Sequence, residues 1–196
     1  MGVRVQFWET PEDDIKEAII NDFEKFKTWY LSIATEYPDE VNYDLLELIE
    51  RTTNPDKLFE EADRKLIDEF VGIYIGDFCD HGPGKKKTVK GSTCLNVRNY
   101  ESDFKVIQKT CDTKVVELWN YILRGKSIVE SRNLETEDGV FRYSAFSEEE
   151  CQFLLQELSK KFTVTTPDDF NRIPGIGSVI SAIESKESMG LLITVA

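Results

Sequence analysis

The densest group of chemically active side chains lies at residues 77–81, where Cys79 and the chain's single histidine, His81, stand beside Asp77 and Asp80. Thiolate, imidazole and carboxylate groups bind transition metals, and a Cys–His pair can carry out nucleophilic catalysis. However, no second cysteine stands at the spacing of a zinc site, and side chains two residues apart on a turn seldom converge. The segment is therefore an alternative site, for an enzyme or a metal-binding protein. A helix end with a buried thiol is the favoured interpretation.

The run GPGKKKT at residues 82–88 is rich in glycine and lysine, as phosphate-binding loops are. A Walker A loop has the pattern Gly-x-x-x-x-Gly-Lys-Ser/Thr. Here Cys79 and Lys86 occupy the positions of its first glycine and its hydroxyl residue. Pro83 also removes one backbone N–H donor. We therefore predict a solvated loop and no nucleotide site.

The segment IPGIG at residues 173–177 resembles the hairpin of helix-hairpin-helix proteins, whose glycines let backbone amides approach a phosphate. The alanine usual in that motif is Ser181 here, and no basic residue lies between Gly177 and Glu184. We predict a turn into a helix instead. With a single histidine, the sequence also gives no basis for assigning a Ser-His-Asp catalytic triad. The motifs therefore predict no cofactor and favour a non-enzymatic protein.

Charge is distributed unevenly along the 196 residues, whose formal net charge is −13. Residues 9–80 hold 21 acids and 7 bases, residues 81–132 hold 5 acids and 11 bases, and residues 133–196 hold 11 acids and 5 bases. The acidic first part would repel a phosphate backbone, which disfavours nucleic-acid binding. The basic middle segment either faces an acidic partner or neutralises the acidic part within the fold, and we favour neutralisation.

The leading hypothesis is a protein-binding domain that masks a basic partner, as an immunity or inhibitor protein does. Acidic surfaces speed association with basic partners and make it sensitive to salt. The alternative is that these acids only keep the protein soluble. The candidate contacts are acids at helix starts and polar faces: Glu12, Asp13, Asp14, Asp39, Glu40, Glu60, Glu61 and Asp63.

Several features predict a cytoplasmic protein that is not bound to a membrane. No apolar run approaches the roughly 20 residues that span a bilayer. The N-terminal segment is too short and too soon interrupted by acids to be a signal peptide. The four cysteines, Cys79, Cys94, Cys111 and Cys151, contain no Cys-x-x-Cys pair and are expected to stay reduced.

Hydrophobic periodicity predicts a mainly helical α+β fold, organised as one globular domain over residues 1–196. Helices are expected at about 10–37, 41–51, 54–78, 102–109, 112–125, 147–158, from 166, and at 178–187. Ser147 with Glu150 forms a capping box, the clearest local signal. Residues 140–143 are a short candidate strand.

The C-terminal segment Leu191–Val195 is a run of apolar or β-branched residues. Such a strand would promote aggregation if its edge were exposed. We therefore predict that it is paired within a small sheet and covered by helices. Its expected neighbour is the other terminal strand, Val3–Phe7.

Three segments resemble the uncharacterised YfbM-like family of small bacterial cytoplasmic proteins. Residues 118–127 (LWNYILRGKS) are similar to that family's Trp-containing helix, which ends in a Gly-x-Ser turn. Residues 141–143, before Ser147, are similar to its strand-to-helix junction, and residues 190–195 to its closing strand. The resemblance implies an α+β fold and carries no activity.

Overall fold

A five-stranded antiparallel sheet joins two layers of helices. The computed structural model describes residues 3–10, 15–61, 63–85, 87–130, 132–134 and 141–196, and every element below lies within these ranges. The strands follow the order β2-β1-β5-β4, and β3 also pairs with β1. Their bounds are β1 (Arg4–Glu9), β2 (Lys87–Thr88), β3 (Leu95–Asn96), β4 (Arg142–Phe146) and β5 (Leu191–Val195).

The C-terminal strand β5 lies inside the sheet, between β1 and β4. Phe7 and Ser144 both lie opposite Ile193, and all five residues of β5 are buried. Ile193 and the other odd-numbered residues of the strand face one helical layer, whereas Leu192 faces the other. Because both faces are covered, the strand is apolar almost throughout. This confirms the predicted pairing of Leu191–Val195 with the N-terminal strand.

The first helical layer covers one face of the sheet and has an aromatic core. Its elements are α1 (Ile15–Glu36), α2 (Tyr43–Arg51), α3 (Leu58–Glu61), α4 (Arg64–Ile73) and a π-helical turn (Tyr74–Phe78). The Phe26 ring lies 5.0 Å from the Phe70 ring and 5.4 Å from the Phe78 ring, centroid to centroid. The buried side chains of α1 recur at helical spacing, which is the pattern that predicted the helix.

The second helical layer covers the opposite face and has a more aliphatic core. Its helices are α5 (Val97–Thr110), α6 (Thr113–Arg124), α7 (Glu148–Lys161), α8 (Pro167–Arg172) and α9 (Pro174–Ser185). Capping boxes begin α7 at Ser147 and α8 at Thr166. Gly125 ends α6 with φ at 83°, where a Cβ would come within 2.4 Å of the Leu134 side chain. Local signals therefore set these helix ends, as the sequence predicts.

Three helices differ from their prediction. The helix expected from residue 102 begins at Val97, where the Asn96 side chain accepts the backbone N–H of Arg98. The helix expected over residues 54–78 is divided, because the Asp63 carboxylate accepts the backbone N–H groups of Lys65 and Leu66 and begins a new helix. The last helix begins at Pro174, not at residue 178, since proline suits the first turn of a helix. The predicted start of α1 at residues 11–14 lies outside the described residues.

The architecture confirms the predicted fold class: a mainly helical α+β fold with a small sheet that contains both the N- and C-terminal strands. Within the described ranges, no helix is long and apolar enough to cross a membrane.

Candidate functional site

The Asp77–His81 segment divides between two cavities. Asp77, Asp80 and His81 are exposed and line a cavity of about 550 Å³, whereas Cys79 lines a second cavity of about 750 Å³. The separation follows the helical spacing of the segment: residues 80 and 81 lie three and four positions after Asp77, and the His81 backbone N–H donates to the Asp77 carbonyl, so these three share one side and Cys79 lies on another. Across the part of the chain that the structure describes, no three His, Cys, Asp or Glu residues are grouped to hold a metal ion.

The half-buried Cys79 thiol lies beside the hydroxyl of Tyr74. That hydroxyl donates a hydrogen bond to Oδ2 of Asp22 at 3.0 Å. Burial, with Cys79 and Asp22 nearby, raises the pKa of Tyr74 far above its usual range. Cys79 therefore sits against a neutral phenol, which supplies no cation to stabilise a thiolate.

A cavity beside α4 is lined by two glycines of the helical segment, Gly72 and Gly76. We call it the Gly72 pocket and define it by Gly72, Gly76, Asp77, Asp80, His81 and Phe141. Gly72 and Gly76 stand one helical turn apart, so both face the cavity. Two glycines four residues apart inside a predicted helix were the signal available in the sequence.

A buried charge network lies close to this pocket. The Asp68 side chain on α4 is fully buried. Its Oδ1 accepts a hydrogen bond from the Ser127 hydroxyl at 2.6 Å, and its Oδ2 accepts one from Arg132 Nη1 at 2.8 Å. Burial, together with the nearby Asp68 carboxylate, raises the pKa of Tyr143 well above its usual range. The network joins α4 to the segment that follows α6, and every partner is remote in sequence.

The candidate acidic contacts do not form one patch. Asp39 and Glu40 are exposed on a 3₁₀ turn (Pro38–Glu40) that follows the C-terminal end of α1. Glu60 is exposed on α3. Asp63, after the end of α3, is also exposed, and its carboxylate caps α4. Glu61 lies on the last turn of α3, and Glu12, Asp13 and Asp14 lie outside the described residues.

Glu60 on α3 and the pair Asp39 and Glu40 lie near opposite ends of α1. Lys16, at the start of α1, places its Nζ 5.1 Å from the ring centroid of Phe59 on α3. Glu36 ends the helix 20 residues later, and at 1.5 Å per residue this separates the two ends by about 30 Å. A surface that uses Asp39 and Glu40 therefore leaves out the acids on α3.

Two exposed tyrosines flank Asp39 and Glu40. Tyr37 is 46% exposed and Tyr43 is 67% exposed, more than most large hydrophobic side chains in the described residues. We call Glu36, Tyr37, Asp39, Glu40, Tyr43 and Asp44 the tyrosine–acid corner. The Tyr37 hydroxyl donates a hydrogen bond to Oε1 of Glu36 at 2.8 Å, and this bond raises the pKa of Tyr37. The sequence signal for Tyr43 was its place outside the apolar stripe of α2.

The basic middle segment pairs extensively with the C-terminal segment. Lys87 and Lys90 lie 2.7 and 3.1 Å from the Glu187 carboxylate, and Lys126 lies 2.5 Å from Oε1 of Glu150. Arg132 reaches the acidic part of the chain through Asp68. Among these pairs, only Arg132 with Asp68 neutralises the acidic part as predicted, and the three lysines instead neutralise acids of the C-terminal segment.

Comparisons with protein-family models, curated proteins and solved structures found no match for this chain. The resemblance to the YfbM-like family stays a prediction. The fold and its surface define an acidic α+β protein with two candidate binding features, the tyrosine–acid corner and the Gly72 pocket.

Proposed function

We propose that this protein is a non-enzymatic binding domain that masks a basic partner protein, as an immunity or inhibitor protein does. The contact surface is the tyrosine–acid corner. The observation that carries the proposal is the exposure of Tyr37 and Tyr43 beside four carboxylates, those of Glu36, Asp39, Glu40 and Asp44.

Tyrosines and carboxylates contribute different parts of such an interface. Tyrosine gives a large contact area with one polar group, and aromatic residues are enriched at protein interfaces and among their energetic hot spots. Carboxylates attract a basic surface from a distance and exclude acidic competitors. Acids that served only solubility would gain nothing from two exposed aromatic rings between them.

The chemistry of the corner argues for a protein and against a nucleic acid or a membrane. Its carboxylates would repel phosphate groups, both of nucleic acid and of anionic lipid headgroups. We further propose a cytoplasmic location, which is supported by four cysteines that form no disulfide.

The test is affinity capture with the purified chain as bait, at low and at high salt. We expect a basic protein to be captured at low salt and lost at high salt, because salt screens charge attraction. The variant Tyr43→Ala/Asp39→Asn/Glu40→Gln should lose the captured protein, whereas the control Glu60→Gln, on α3 and outside the corner, should retain it.

The captured protein is then purified and its association rate with the bait is measured as salt increases. A rate that falls steeply with salt for the wild type, and only weakly for the corner variant, supports the proposal. A bait that captures nothing at either salt concentration contradicts it, as does equal capture by the corner variant.

A further inference from the structure

The Asn42 side chain joins the start of α2 to α4. Its Oδ1 accepts the backbone N–H groups of Asp44 at 2.9 Å and Leu45 at 3.3 Å, and so caps the first turn of α2. Its Nδ2 donates to the Glu69 carboxylate on α4, whose two oxygens both lie 2.9 Å away. One half-buried amide therefore holds a helix end and a second helix at once.

The chemistry of the neighbours fixes the orientation of this amide. A backbone N–H group can only donate, and an ionised carboxylate can only accept. Exchanging the two amide atoms would place Nδ2 against the N–H groups and Oδ1 against the Glu69 carboxylate, and every one of these bonds would be lost. The cap and the bond to Glu69 therefore use different atoms of Asn42, so that one can be removed while the other stays.

Tyr30 brings a third helix to the same place. It is a buried residue of α1, and a hydrogen bond from the Asn42 backbone reaches its phenol group. Burial, followed by the nearby Glu69 carboxylate, raises the pKa of Tyr30 to about 12, so the phenol is neutral at physiological pH. Polar groups from α1, α2 and α4 thus meet at Asn42, and we call Tyr30, Asn42 and Glu69 the α2 junction.

The α2 junction adjoins the tyrosine–acid corner. Tyr43 and Asp44 follow Asn42 in the chain, and both are exposed. The Asn42 carbonyl also accepts the backbone N–H of Leu46 at 2.9 Å. The directions of the Tyr43 ring and the Asp44 carboxylate depend on where α2 begins and on how its first turn is held, and Asn42 contributes to both.

A binding surface that is ordered before the partner arrives binds more tightly, because every side chain or loop that is ordered on binding costs free energy. We propose that Asn42 and Glu69 are positioning residues of the tyrosine–acid corner, whose hydrogen bond holds Tyr43 and Asp44 in place for the partner. This role rests on the proposed function, since it serves the same surface.

Asn42→Asp removes the bond to Glu69 and keeps the cap. Aspartate caps a helix as well as asparagine does. Its second oxygen cannot donate, however, and would face the Glu69 carboxylate, which repels it. The added negative charge by itself speeds association with a basic partner. Lost positioning instead speeds dissociation, so the dissociation rate separates the two effects.

Asn42→Asp/Glu69→Gln exchanges the amide and the carboxylate between the two positions. The amide introduced at position 69 can donate to the carboxylate introduced at position 42, which restores the bond in the opposite direction. The net charge of the pair is the same as in the wild type. Glu69→Gln alone keeps an oxygen that accepts from Asn42 and should have a small effect.

Asn54→Asp is the matched control. Asn54 caps a 3₁₀ turn (Pro55–Lys57) by accepting the backbone N–H of Asp56 at 3.1 Å. The control therefore makes the same substitution at a cap that lies beyond the other end of α2 and outside the corner. Circular dichroism melts establish that each variant is folded.

Two measurements on the full chain test the role. Amide hydrogen exchange, followed by NMR, reports the opening of the first turn of α2 at Leu45 and Leu46. Surface plasmon resonance reports dissociation of the basic protein that the wild-type bait captures. We expect Asn42→Asp to speed both by about tenfold. The exchanged pair should return both to within about threefold of the wild type, and Asn54→Asp should match the wild type.

Three results would overturn this role. They are unchanged exchange at Leu45 and Leu46 in folded Asn42→Asp, faster exchange without faster dissociation of the captured protein, and an exchanged pair that restores neither measurement. A wild-type chain that captures no protein contradicts the proposed function alone. The exchange measurement then decides whether Asn42 and Glu69 order the corner, because it needs no partner.

Discussion

Among the described residues, each helical layer buries one aspartate, and the two layers stabilise this aspartate in different ways. In the first layer, Asp68 is paired with Arg132 and Ser127, so its charge is matched by a cation. In the second layer, Asp103 accepts the backbone N–H of Ile176 at 2.9 Å, in the first turn of α9. That helix has no side-chain cap from its own N-cap residue, Ile173. Asp103 supplies the cap from α5 instead.

The two layers, whose buried aspartates are stabilised differently, also differ in what they present to solvent. The second layer holds its loops with ion pairs, among them Lys126 with Glu150 and Lys186 with Glu148. The first layer carries the tyrosine–acid corner and the Gly72 pocket. The buried pair of Asp68 with Arg132 fixes α4, which is the helix that forms a wall of the pocket. Both candidate binding features therefore lie on the first layer, whereas ion pairs hold the loops of the second.

Removing the strand that both layers share should have the largest effect. Deletion of residues 191–196 removes β5 from between β1 and β4 and exposes both hydrophobic cores. We expect no soluble folded protein, or a melting temperature lower by many degrees, measured by circular dichroism. Truncation of Ala196 alone is the control and should have a much smaller effect. A deletion variant that melts like the full chain would contradict this account.

Replacing the paired aspartate should have the next largest effect. Asp68→Ala leaves Arg132 without its buried partner, and we expect a loss of about 3–5 kcal/mol in the free energy of unfolding. Asp68→Asn should rescue little, because a neutral amide does not match the charge of the guanidinium group. Chemical denaturation measures both variants.

The double variant Asp68→Ala/Arg132→Leu is the control for this pair. It removes the uncompensated charge and should recover part of the lost stability. If the single and double variants are equally unstable, the pairing with Arg132 does not explain the role of Asp68.

The capping aspartate should behave differently from the paired one. Asp103→Ala should lower the free energy of unfolding by about 1–2 kcal/mol, as the loss of a helix cap does. Asp103→Asn should recover most of this loss, because an amide oxygen can accept the same backbone N–H. Equal loss in the two Asp103 variants would show that the carboxylate charge matters more than the cap.

The pH dependence of Asp103 provides a second measure of its environment. Burial is the largest influence on its carboxyl and raises its pKa above the usual value. Folding therefore favours the protonated form. The associated stability is present below pH 3.8 and is lost as the pH rises through the folded pKa. The Asn variant, which does not titrate, should lack this component.

These contacts also show which features of the fold could be predicted from the sequence and which could not. The helix ends at Ser147 and Thr166 were predictable, because the residues of each capping box lie three positions apart. The apolar run of β5 likewise required burial wherever its partners lay. Asp68 and its partner Arg132 are 64 residues apart, and Asp103 and Ile176 are 73 apart. Nothing local in the sequence indicates such pairs.

The candidate sites, too, could be predicted only where they depend on residues that are close in sequence. Negative charge directed attention to Asp39 and Glu40, yet the position of these acids beside exposed rings depends on which face of α2 is buried. Leu45, Leu48 and Ile49 recur at helical spacing within the helix predicted over residues 41–51, which puts them on one apolar face, and all three are buried. The exposure of Tyr43 could therefore have been predicted from the sequence. The Gly72 pocket was not, since it requires Phe141, far along the chain, as a wall.

The smallest effect should come from the exposed ion pairs of Glu187, whose side chain is 58% exposed. Hydrogen bonds from Lys87 and Lys90 lower the pKa of Glu187 to about 2. Stability from this group is present above pH 4.5 and is lost as the pH falls from 4.5 through about 2. Lys87→Met/Lys90→Met should return the pKa, measured by NMR of the carboxyl carbon, toward 4.5. The melting temperature at neutral pH should hardly change, because water and salt screen exposed pairs. A melting temperature that falls as far as in Asp68→Ala would mean that surface pairs of the second layer stabilise the fold as strongly as the buried pair of the first.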